Sequence, residues 1–105
     1  MPGYNFTGYL GVLIEKAEAG NPVDIDYIMY NLTSESNLVM TRFVDFALGL
    51  VTNESGISRI EHYLFRGSQI QRNYASLFFN RKGDWDLVKE AFHQGLIDEI
   101  QAFAR

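Results

Sequence analysis

The stretch Leu38-Val39-Met40-Thr41-Arg42-Phe43-Val44-Asp45-Phe46-Ala47-Leu48-Gly49-Leu50-Val51 decides the fold. Val39, Phe43, Phe46 and Leu50 recur at steps of three and four residues, and Met40, Val44, Ala47 and Val51 form the neighbouring row. That is the spacing of an α-helix, not of a strand. Arg42 and Asp45 interrupt the run, and a membrane span needs about 20 apolar residues, so it reads as a buried core helix. Only a strip of Thr41, Arg42, Asp45 and Gly49 is left for water, which predicts a central position.

Working toward the N-terminus, Thr33-Ser34-Glu35-Ser36 punctuates the chain before this helix. Ile25, Ile28, Met29 and Leu32 give an earlier apolar stripe, entered through Asn21 as cap, Pro22 in the first position and Asp24 in the first turn. The alternation Val23-Asp24-Ile25-Asp26 offers a strand, but it breaks at Tyr27-Ile28-Met29-Tyr30, which favours helix. Before that, Phe6, Tyr9, Leu10, Leu13, Ile14 and Ala17 line one face of a first helix, and Gly20 with Asn21-Pro22 stops it. Gly8 and Gly11 fall inside it at a cost of about 1 kcal/mol each. Either they admit a close neighbour or the helix starts later.

Toward the C-terminus, Ser55 is placed to cap a helix carrying Ile57, Ile60 and Leu64, which Gly67 ends. Ser68 with Gln71 has the pattern of a capping box. It opens a helix whose core face is Ile70, Tyr74, Leu77 and Phe78, closed by Asn80-Arg81-Lys82-Gly83. Asp84 then caps a helix with the stripe Trp85, Val88, Ala91 and Phe92. After Gly95, Asp98 with Gln101 caps a last short helix bearing Ile100, Phe103 and Ala104. About seven short helices joined by turns of a few residues make an all-α fold of antiparallel hairpins, either a helical-repeat stack or a compact bundle.

Ala75, Phe78-Phe79, Gly83-Asp84-Trp85, Val88, Phe92 and Gly95 resemble one tetratricopeptide hairpin, with aromatics before a Gly-Asp-aromatic turn. The resemblance covers about a fifth of the chain and departs from the family's pattern at Val88, where a small alanine is usual. It implies an α-helical repeat or a compact helical bundle.

The chain has 105 residues, net charge −4 and no cysteine. Such a length fits one domain, and 32 residues are Leu, Ile, Val or Phe, enough for a real core. Without cysteine there is no disulfide scaffold, no thiolate chemistry and no Cys-based zinc site. His62 and His93 are the only histidines and lack partners at ligand spacing, so neither a metal nor another cofactor is expected. Met1-Pro2-Gly3-Tyr4-Asn5 has no basic run followed by an apolar one, which predicts a cytoplasmic protein with no membrane contact.

Charge is unevenly distributed. Residues 1–55 hold seven acids and two bases, whereas residues 59–82 hold five bases against Glu61 alone. Arg59, His62, Tyr63 and Arg66 share one helix face, opposite Ile57, Ile60 and Leu64, with Arg72 near in sequence. These five are the candidate binding residues. A solvated face with its arginines paired to acids elsewhere is the plainer reading of the same row. Glu61 falls at the edge of the core face, and Arg81 on the apolar side of its own helix. They are candidates for a partly buried ion pair, with Arg72 as the other possible cation. Tyr4, Tyr27, Tyr30 and Tyr63 lie off the apolar stripes, where tyrosine favours protein contacts.

The composition thus predicts a small protein-interaction module, not an enzyme. It would bind another protein or itself, as an adaptor or as an inhibitor or immunity-type protein covering a basic site. The alternative is an RNA or nucleotide-phosphate binder through the basic residues 59–82.

Overall fold

A computed structural model describes residues 8–104 of the chain. Among the described residues all regular structure is helical: α1 (Gly8–Ala19), α2 (Pro22–Met29), α3 (Leu38–Leu48), α4 (Glu54–Arg66), α5 (Gln69–Lys82), α6 (Trp85–His93) and α7 (Glu99–Phe103). Tyr4 and Phe6, assigned above to a contact surface and to the first helix face, lie outside them. Two compact units are distinguished along the chain, one ending at Arg59 and the other beginning at Ile60, so the division falls inside α4.

Within the first unit α1, α2 and α3 pack against one another. Leu13, Ile14 and Ala17 meet Ile25, Ile28 and Met29, and Val44, Ala47 and Leu48 complete this core. Gly20 takes the left-handed conformation that stops α1 (φ +66°), and its N–H bonds the Lys16 carbonyl at 2.9 Å. Asp24 accepts from the Asn21 N–H at 3.2 Å, holding the start of α2. α3 begins at the cap residue Asn37, whose Oδ1 accepts from the Met40 N–H at 2.8 Å.

α3 is not central. Its row Met40, Val44, Ala47 and Val51 faces inward, but Val39 and Phe46 are exposed, Leu50 less so, and Phe43 is half-buried. Thr41, expected in water, is buried, and its hydroxyl donates to the Leu38 carbonyl at 2.9 Å. A hydroxyl bonded back into its own helix needs no water.

α4 is capped by Asn53 and not by Ser55. Asn53 Oδ1 accepts from the Gly56 N–H at 2.8 Å, while its Nδ2 donates to the Ala19 carbonyl at the end of α1 (3.2 Å). Ser55 donates instead to the Gly20 carbonyl at 3.3 Å. A Cβ on Gly56 would stand 2.7 Å from that same carbonyl oxygen, so the absence of a side chain is what lets the two backbones meet.

In the second unit α5, α6 and α7 pack against one another, around Ala75, Phe78, Phe79, Val88, Ala91 and Ala102. The capping boxes of Ser68 with Gln71 and Asp98 with Gln101 both form. Gly83 ends α5 in the left-handed region. Trp85, Ile100 and Phe103, assigned by spacing to the core, are exposed, Ile100 at 77 %. A five-residue helix buries little more than one side chain, and here that is Ala102.

Candidate functional site

Of the four residues expected to share a face of α4, Tyr63 is buried and Arg59 half-buried, while His62 and Arg66 are exposed. The buried stripe of α4 runs through Gly56, Ile60, Tyr63 and Leu64. Spacing alone centred it on Ile57, Ile60 and Leu64, but Ile57 is only half-buried. Tyr63 points inward, 6 % exposed, with the edge of one ring toward the face of the other between it and His62 (centroids 5.4 Å apart). Glu61 turns the other way, into water.

Arg59 is held by an acid of α2. Its Nε donates to Asp26 Oδ1 at 2.7 Å and its terminal nitrogen to Asp26 Oδ2 at 3.2 Å, a two-pronged pair that is half-buried. Arg72 serves the backbone instead. Its Nε donates to the Leu96 carbonyl at 2.7 Å, Nη1 to the Gly67 carbonyl at 2.8 Å, and Nη2 to Gln69 Oε1 at 3.0 Å. The guanidinium thus ties the turn before α5 to the turn after α6. Of the expected face, His62 and Arg66 remain exposed.

Glu61 and Arg81 are both exposed, so the partly buried pair expected of them is corrected. The buried polar residue of this unit is Asn80, 2 % exposed, which periodicity placed only in a helix end. Its Nδ2 donates to the carbonyls of Gln101 (2.9 Å) and Ala102 (3.2 Å), supplying partners that the last turn of α7 lacks. Its Oδ1 is buried without a hydrogen-bond partner.

Two features went unread in the sequence. The first is an exposed apolar row along α3 and just past its end: Leu38 at 63 %, Val39 at 57 %, then Phe46 and Leu50. Its spacing is that of a core stripe, and only the burial of the adjacent row shows which side faces water. The second is the set of contacts that Tyr9 and Lys16 of α1 make with Asn31 and Tyr27. The Tyr9 hydroxyl donates to Asn31 Oδ1, the Lys16 ammonium lies 5.0 Å over the Tyr27 ring, and Tyr27 and Tyr30 are exposed as expected. Burial pushes the Tyr9 phenol above its ordinary pKa, and a hydrogen bond with Tyr27 adds to that rise while Asn31 opposes it.

Among the described residues no cluster of three or more histidine or acidic side chains is arranged to hold a metal ion. No helix among them is long and apolar enough to cross a membrane. No protein-family model, curated protein or solved structure matches this chain.

Proposed function

We propose that this chain is a small helical protein-interaction module of the cytoplasm, acting without catalysis, that binds another protein or a second copy of itself. The observation that supports this reading is the apolar row on α3. Leu38 and Val39 stand in water on a helix whose opposite row already fills the core, and large apolar side chains grouped on a surface mark contact sites. The surface therefore moves from the basic residues of α4, where the sequence put it, to α3. The acidic composition of residues 1–55 suits a partner with a basic surface, as an inhibitor or immunity-type protein would have. An RNA or phosphate partner would have to rely on His62, Arg66, Arg81 and Lys82, which are exposed, because the guanidinium groups of Arg59 and Arg72 are engaged within the fold.

The test compares the tagged chain with its Leu38→Glu/Val39→Glu variant, by sedimentation over a concentration series and by capture from nuclease-treated lysate. Self-association or retention of a protein, lost in the variant, supports the reading. Association unchanged by the variant moves the surface elsewhere. Retained material that disappears with nuclease, and whose affinity falls steeply with salt, contradicts the reading in favour of RNA.

A further inference from the structure

The second unit holds a cleft of about 420 Å³ lined by Gln69 and Asn73 of α5, residues 95–97 of the turn after α6, and Asp98 and Gln101 at α7. Small-ligand sites fall in the range of about 300–1,000 Å³. Its polar wall is fixed by its hydrogen bonds, and these also fix which end of each amide faces which way.

Arg72 has donors only, so the Gln69 atom bonded to it is oxygen, at 3.0 Å. Gln69 Nε2 then donates to Asn73 Oδ1 at 3.0 Å, which leaves the Asn73 NH2 as a donor. The same logic applies at α7. The Asp98 backbone N–H donates to Gln101 Oε1 at 3.2 Å, which leaves the Gln101 NH2 as a second donor. Asp98 Oδ1 accepts from the Gln101 N–H at 2.9 Å, leaving Oδ2 as a charged acceptor. Gly95, in the left-handed conformation, has nothing within 4 Å of where a Cβ would stand, so that side is open.

We infer that this cleft binds a neutral polyhydroxylated molecule of monosaccharide size. Hydroxyl groups both donate and accept, which suits two amide donors beside one carboxylate. An anion would meet Asp98 with no cation among the described residues that line the cleft, and the nearby Arg72 guanidinium is taken up by Leu96, Gly67 and Gln69. A metal ion would need several oxygen ligands, and Asp98 is the one acid among the lining residues. A purely apolar ligand would strand the amides and the carboxylate without partners. The cleft is open to water, so the dissociation constant is expected in the millimolar range.

Two isosteric variants test this without disturbing the fold. Asp98→Asn keeps a good helix cap but removes the charge. Asn73→Asp keeps an acceptor for Gln69 but turns the donor into an acceptor. Amide chemical shifts of the full chain would be followed on titration with glucose, xylose and myo-inositol, with inorganic phosphate and glycine betaine as charged comparators. The expected result is saturable shifts at Asn73, Gly95, Leu96 and Gln101 with at least one polyol, weakened about tenfold in each variant at unchanged melting temperature. The inference is overturned by the absence of saturation with all three polyols, by equal affinity in the variants, or by preference for phosphate or betaine.

Discussion

Three side chains carry interactions whose loss has a definite sign. Asp26 is half-buried and receives both prongs of Arg59. Arg59→Ala should cost about 1 kcal/mol, because water reaches both partners and takes over part of the interaction. The melting temperature should fall by roughly 4–8 °C. Asn80 is less forgiving. Asn80→Asp would aim a carboxylate at the carbonyl oxygens of Gln101 and Ala102 in a buried site, and the cost should exceed about 3 kcal/mol. Chemical denaturation measures it, and protection of the α7 amides should disappear first. Tyr9 sets an alkaline limit. Its phenol holds its proton more tightly in the folded chain than in the unfolded one, so its contribution is complete below the unfolded pKa of about 10. It is lost as pH rises through the higher folded value. Thermal scans should show stability falling above that pH, and Tyr9→Phe should reduce the fall; an equal fall in both proteins would contradict this assignment.

At the scale of the elements, the join between α1 and α4 depends on Asn53 and Gly56. Asn53 both caps α4 and bonds the last turn of α1, so Asn53→Ala should cost about 1–2 kcal/mol in denaturant unfolding. Gly56→Ala would set a methyl 2.7 Å from a backbone oxygen that cannot swing aside, at a cost of about 1–3 kcal/mol. The sequence misplaced this cap at Ser55, but other helix ends were legible in it. Gly20, Gly83 and Gly95 stand in left-handed conformations where the chain was expected to turn, and Ser68 and Asp98 cap the helices that follow them. These signals are local, formed within a few residues of one another. Which face of a helix is buried is not a local matter. Tyr63 is buried and Glu61 exposed, a choice that the spacing of apolar residues along α4 does not make by itself. Arg59 and Arg72 likewise looked like a ligand site until their partners, Asp26 and the Leu96 carbonyl, were placed beside them.

At the scale of the whole molecule, the apolar content exceeds what two units of about fifty residues enclose. The chain is 47 % hydrophobic, and units this small bury only about 60 % of the surface their unfolded chains expose. Some large apolar side chains must therefore stand in water, and α3 and α7 present them: Leu38, Val39, Ile100 and Phe103. That excess explains why apolar spacing located the helices correctly but placed too many of their residues in the core. The outer row of α3 is accordingly exposed surface and not core. Thermal unfolding of Leu38→Glu/Val39→Glu beside Val44→Ala tests this most directly. Val44 is fully buried, and its truncation should cost roughly 2 kcal/mol. The double substitution places acids in the first turn of α3, where the helix dipole favours them. Its melting temperature should stay at or slightly above that of the parent chain; a fall as large as that of Val44→Ala would show that the row is core and not surface.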